Sequence, residues 1–174
     1  MEQMASSNLL SEPTQAADPV RDLLLMHGTE AVHLAEFKGR SILLFVLGVD
    51  CGTCKQLART LSGLHDEYAS DIEFFGICIQ NACEEMLPEF ASAAAVNFPL
   101  THCSNREICE ALQIPRSKWL YFPTLIFLDA QQRLRGVFTG KDRFFEDASS
   151  NVREVLDKLF SESKSADERI EATA

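Results

Sequence analysis

Positive charge is scarce in this chain: 16 Lys and Arg stand against 26 Asp and Glu, for a net charge of −10. A surface this acidic gains nothing from a phosphate backbone, which argues against nucleic acid as a partner. Its first use is solubility, with some steering away from anionic membranes and toward neutral or basic protein surfaces. No apolar run reaches the length of a membrane span. The start, Met1-Glu2-Gln3-Met4-Ala5-Ser6-Ser7, has neither a basic segment nor an apolar one, so no signal peptide is visible. The expected location is therefore cytoplasmic, or periplasmic if a leader has been removed. Six cysteines in 174 residues are too few for a disulfide-built scaffold. A structural zinc site is also poorly served. It needs a second C-x-x-C or an H-x-x-x-H pair, whereas His27, His33, His65 and His102 are scattered. No metal and no cofactor is expected, and no internal repeat is seen.

What the chain does have is Cys51-Gly52-Thr53-Cys54 in a telling context. The run Ile42-Leu43-Leu44-Phe45-Val46-Leu47 before it reads as a buried strand. After it, Cys54, Leu57, Leu61, Leu64 and Tyr68 recur at helical spacing, one apolar stripe. A strand ending in C-x-x-C as a helix begins puts the first sulfur at the positive end of the helix dipole. Free N–H groups there favour a thiolate. Cys54 faces back toward it, so the pair can open and close a small disulfide ring. Position makes Cys51 the candidate nucleophile and Cys54, on the inward stripe, the resolving thiol. Asp50 is a candidate tuning residue, because a carboxylate beside Cys51 disfavours the thiolate. Two inert structural cysteines are the duller alternative.

With 46% hydrophobic residues, the length suits one globular domain, expected over 20–162 between flexible polar tails at 1–19 and 163–174. Leu23 to Met26 and Val32 to Leu34 flank His27-Gly28-Thr29-Glu30 as a hairpin. The core strand covers 42–48, and a helix runs from Cys51 to Ala69. A second buried strand, Ile72 to Ile79, completes a β-α-β unit with parallel strands. A helix is expected over Asn81 to Val96, with Pro88 starting or kinking it. Phe98 to Thr101 follows as a short strand. Ser104-x-x-Glu107 reads as a capping box for a helix through Leu112. Thr124–Leu128 and Leu134–Phe138 form an antiparallel hairpin. Val152, Val155, Leu156, Leu159 and Phe160 mark a last helix, with Asn151 and Glu154 as caps and fraying after Ser161.

This order of elements resembles the thioredoxin superfamily, in its TlpA-like and redoxin branch. The resemblance is carried by the C-x-x-C after a strand, by Leu34-Ala35-Glu36-Phe37-Lys38-Gly39-Arg40, by a helix–strand insert between Gln80 and Asn105, and by Phe122-Pro123-Thr124-Leu125-Ile126-Phe127-Leu128-Asp129 with Gly140 beyond. It covers roughly residues 23 to 160. It implies an α/β thioredoxin-like fold, a central mixed sheet flanked by helices, with an N-terminal hairpin and the insert. The implied activity is thiol–disulfide exchange with protein substrates, supported by an unidentified electron donor or acceptor, in a monomer. The resemblance makes Pro123 the cis-proline facing the disulfide, and Phe122, Pro123, Gly52 and Thr53 the residues that meet substrate. A proline opening a strand has no N–H to lose, and X–Pro bonds tolerate cis. The plain alternative is a trans proline on an edge strand.

Departures matter too. Asp50 stands where many relatives have tryptophan, Thr53 where many have proline, and Phe45 where thioredoxin has its buried acid. Trp119 and Tyr121 read either as a rim around the site or as core aromatics. Among the remaining cysteines, Cys78 reads as inert, and Cys103 with Cys109 is the first pair to test for a second disulfide, with Cys83 near a loop. A peroxiredoxin-like peroxidase is a rival reading, but P-x-x-x-[ST]-x-x-C is absent: Leu44 and Leu47 stand seven residues before Cys51 and Cys54. A non-catalytic docking module on the same fold is the other rival.

Overall fold

The computed structural model describes residues 18–115 and 120–173. Nearly all of the expected N-terminal tail lies outside the described residues, and so does Trp119. Leu24–His27 (β1) and Glu30–His33 (β2) pair as the expected hairpin, turned through Gly28 at φ 59°. Then come Ser41–Leu47 (β3), Gly52–Tyr68 (α1), Ile72–Cys78 (β4), Leu87–Ala94 (α2) and Leu100–His102 (β5). Asn105–Ala111 (α3), Thr124–Leu128 (β6), Leu134–Thr139 (β7) and Ala148–Ala172 (α4) complete the chain.

The strands form one mixed sheet in the order β2-β1-β5-β4-β3-β6-β7. β3 runs parallel to β4, with Leu47 opposite Cys78, and antiparallel to β6. It sits deep in the sheet because both of its faces are apolar, and every residue of it is buried. Alternation then divides its side chains. Leu43, Phe45 and Leu47 join a core with α1, α2 and α4, through Leu57, Leu61, Phe90, Val155 and Leu159 among others. Ile42, Leu44 and Val46 join a second core on the opposite face, with Ile108, Cys109 and Leu112 from and just after α3.

Two elements depart from expectation. The helix expected over 81–96 is instead a 3-10 turn, Cys83–Glu85, followed by α2, with Pro88 in the first turn of the regular helix. Proline there gives up an N–H that would have no helical partner. The last helix starts earlier, capped by Asp147 accepting from the Ser150 N–H, while Asn151 donates to the Phe144 carbonyl rather than capping. It also continues through most of the segment expected to be a tail. Where the expected tail begins, the helix is tied to another element: the buried guanidinium of Arg135 on β7 pairs with Glu162 and lies 3.8 Å from Asp129. The Ser104–Glu107 capping box is present in both directions.

Candidate functional site

β3 ends at Leu47, and a tight turn, with the Cys51 N–H donating to the Gly48 carbonyl at 3.2 Å, carries the chain into α1. Cys51 is the N-cap of that helix. Its Sγ accepts from the Cys54 N–H at 3.2 Å, and Thr53 Oγ1 lies 3.1 Å away. This uses the sulfur as an N-cap oxygen is ordinarily used, satisfying a donor that the first turn leaves open. Partial burial pushes the Cys51 thiol up, but hydrogen bonds from Cys54 and Thr53, side chain and backbone, outweigh it. The thiol is held below its ordinary range. Cys54 goes the other way. It is fully buried on the inner stripe of α1, and burial, then the neighbouring Cys51 sulfur, push its thiol far up, outweighing the opposing influence of the Gly48 backbone. Two thiols three residues apart thus differ sharply in acidity, the outer one ready to ionise and the inner one not.

The Phe122–Pro123 peptide is cis, as expected. The Phe122 ring packs against Gly48, where an added Cβ would sit 2.7 Å from Phe122 Cδ2. Gly140 at the end of β7 leaves room for the same segment, since a Cβ there would meet the Phe122 carbonyl oxygen at 2.8 Å. Glycine is required at both places by close approach. Thr53, Gln56, Thr60, Phe122, Pro123 and Gly140 line one hollow of about 290 Å³ beside the first turn of α1. Gly52 is exposed and has open space where a side chain would be. Tyr121 is exposed, with Lys141 Nζ 4.3 Å from its ring centroid, so it is not a core aromatic. Asp50 is exposed and lines a separate small depression with Lys55 and Glu89.

Phe45 is fully buried among apolar side chains, so the place of thioredoxin's acid is hydrophobic here. Sequence reasoning missed Gln80, whose Oε1 accepts from the Val49 N–H at 2.9 Å and so braces the turn before Cys51. The available signal was position: a polar residue just beyond a buried parallel strand adjacent to the one leading into the site. It also misjudged the other cysteines. Cys78 and Cys83 are joined in a disulfide, with Cα atoms 6.3 Å apart, whereas Cys103 and Cys109 are not bonded to each other. Five positions separate Cys78 from Cys83, and the turn after β4 folds Cys83 back onto the end of the strand. Burial, with Glu107 and Cys109 nearby, pushes the Cys103 thiol up to about 12, which suits an unreactive cysteine. Among the described residues, no group of three or more His, Cys, Asp or Glu is placed to hold a metal ion.

A mixed sheet covered by helices on both faces, with a capped C-x-x-C beside a cis-proline, defines the thioredoxin-like α/β class. Within it, the chain belongs to the Redoxin family, whose profile matches residues 15–156. Solved structures agree on the fold. A DsbF homologue from Corynebacterium diphtheriae superposes with a TM-score of 0.69, covering 91% of this chain and 98% of its own, at 18% identity. A thiol:disulfide interchange protein of the thioredoxin family from Chlorobium tepidum TLS gives 0.65, with 80% and 97% covered, at 18% identity. The exposed lipoprotein thioredoxin of Streptococcus pneumoniae strain TIGR4 gives 0.60, with 79% and 98% covered, at 14% identity. At such identities the likeness is one of fold. No curated protein matches the sequence significantly. Among the described residues, no helix is long and apolar enough to cross a membrane.

Proposed function

We propose that this redoxin-family protein is a thiol–disulfide oxidoreductase that exchanges disulfides with protein substrates through Cys51 and Cys54. The observation that carries the proposal is the Cys51 sulfur at the α1 N-cap, accepting from the Cys54 N–H at 3.2 Å. In this reading the Cys51 thiolate attacks one sulfur of a substrate disulfide, and the other substrate sulfur leaves as a thiolate that takes up a proton. A mixed disulfide then joins Cys51 to the substrate. Cys54 loses its proton as it attacks Cys51, releasing the second substrate sulfur as a thiol. The protein ends oxidised by two electrons and the substrate reduced by two, and the reverse order of steps oxidises a substrate.

The hollow lined by Thr53, Phe122 and Pro123 is where an extended substrate segment would lie beside the attacked sulfur. The raised Cys54 thiol keeps the resolving group protonated until a mixed disulfide forms next to it. With Phe45 in place of an acid, the proton leaves Cys54 without a buried carboxylate to take it, so water at the site mouth is the acceptor in this scheme. Reduction of insulin with dithiothreitol as donor, run beside a peroxide-consumption assay, tests the proposal. Faster insulin reduction without peroxide turnover supports it. Activity in neither assay favours a docking module, and peroxide turnover alone favours a peroxidase.

A further inference from the structure

Cys78 is the last residue of β4 and Cys83 the first of the 3-10 turn after it, and their disulfide closes a ring around residues 79–82. Gln80 lies inside that ring and holds the Val49 N–H at 2.9 Å. Val49 belongs to the turn in which the Cys51 N–H donates to the Gly48 carbonyl at 3.2 Å, and the Cys51 sulfur in turn accepts from the Cys54 N–H at 3.2 Å. One short path of bonds and hydrogen bonds therefore links the second disulfide to both cysteines of the first pair. Within the ring, Ala82 is held left-handed at φ 53°, a conformation a residue with a Cβ adopts only at a cost. Opening the ring frees that residue to relax, and the segment carrying Gln80 moves with it. Both sulfurs are buried, but Asn81 and Ala82 between them are exposed, so access needs only this loop to lift.

We infer that Cys78–Cys83 is a second redox couple whose state is passed to Cys51–Cys54 through Gln80, a positioning residue for the turn that carries them. As regulation of that site, the inference rests on the exchange function proposed above. The switching step is balanced by a dithiol donor. One donor thiolate attacks a sulfur of the ring, the S–S bond breaks, and the freed sulfur takes a proton. The second donor thiol then displaces the first bond, leaving Cys78 and Cys83 as thiols and the donor as a disulfide, two electrons and two protons transferred. With the ring open, Gln80 releases Val49, the turn that seats Cys51 at the α1 N-cap loosens, and the Cys51 sulfur loses its alignment with the Cys54 N–H. A thiol or thiolate sulfur accepts that hydrogen bond better than a disulfide sulfur does, so its loss disfavours the reduced Cys51–Cys54 pair.

The test equilibrates wild type, Cys83→Ala, Gln80→Leu and Gln80→Glu with mixtures of oxidised and reduced dithiothreitol. Each cysteine pair is then read by mass spectrometry of alkylated peptides. Wild type is expected to carry a Cys78–Cys83 cross-link that opens reversibly. Cys83→Ala and Gln80→Leu are each expected to shift the Cys51–Cys54 equilibrium toward the disulfide by about three- to tenfold, the worth of one hydrogen bond. Gln80→Glu keeps the acceptor and should behave as wild type, and the double variant should shift no further than either single one. Absence of the cross-link, an unchanged equilibrium in Gln80→Leu, or additive shifts in the double variant would each overturn the inference. Should Cys83→Ala fail to fold, the contrast between Gln80→Leu and Gln80→Glu still decides it. Dithiothreitol is the only partner used, so a protein that fails to reduce insulin refutes the proposed function without obscuring this result.

Discussion

Thr53 shows how a residue between the two cysteines sets the chemistry of one of them. Its hydroxyl lies 3.1 Å from the Cys51 sulfur, and its contacts help outweigh the effect of burial on that thiol. Thr53→Val keeps the shape and removes the hydroxyl, so the Cys51 pKa should rise, by up to about one unit. The rate of Cys51 alkylation against pH reads this directly. In wild type the rate should climb through a midpoint below that of an ordinary thiol while Cys54 stays unreactive, and in Thr53→Val the midpoint should move upward. An unmoved midpoint would mean the hydroxyl serves another partner. Asp50 gives a weaker prediction of the same kind. Its carboxylate is adjacent in sequence but exposed, in a depression of its own with Lys55 and Glu89. Asp50→Asn should lower the Cys51 pKa by well under about one unit at low salt, with the difference vanishing at high ionic strength. A salt-independent change would place the charge closer to the sulfur than this geometry does.

At the scale of elements, the segment from β3 into α1 was legible because local pattern and tertiary role coincide there. A run of six apolar residues closed by Gly48 is of strand length and reads as buried on both faces, and the stripe from Cys54 to Tyr68 has helical spacing. The Ser104–Glu107 box was legible for the same reason, since both partners lie within one turn. What escaped were Gln80 on the Val49 turn and the far half of α4, both made by contact between distant segments, and the Cys78–Cys83 bond, which is local but depends on the turn after β4 bringing a buried strand cysteine and the next cysteine together. Polar residues after Ser161 look like a tail until Arg135 is known to be buried beside them. Glu162→Ala should therefore destabilise the fold by about 1–3 kcal/mol in denaturant unfolding. That is less than the loss expected for a fully buried pair, because Glu162 is partly exposed and Asp129 remains nearby. No change would mean the extended helix contributes nothing to the domain. Gly48→Ala should cost a comparable amount, about 1–3 kcal/mol, because the new methyl group falls 2.7 Å from the Phe122 ring. Unfolding midpoints measure it, and an unchanged midpoint would show that the ring moves aside freely.

For the whole molecule, the charge of −10 and the depressed Cys51 thiol both leave signatures in solution. Exchange with a basic protein disulfide should be faster than with an acidic one, and the advantage should fade as salt is added. Equal rates at every ionic strength would exclude steering. A thiol whose folded pKa is lowered contributes stability to the reduced protein above the unfolded pKa. That contribution is lost as pH falls through the folded value, so the reduced form should gain stability relative to Cys51→Ser on the alkaline side. The central claim is that Cys51 attacks and Cys54 resolves, and trapping tests it most directly. Cys54→Ser and Cys51→Ser, each otherwise intact, are mixed with a protein disulfide, quenched in acid, and analysed by mass spectrometry for covalent adducts. The account predicts an adduct on Cys51 in Cys54→Ser and none in Cys51→Ser. An adduct on Cys54 in Cys51→Ser, or no adduct in either protein, would contradict it.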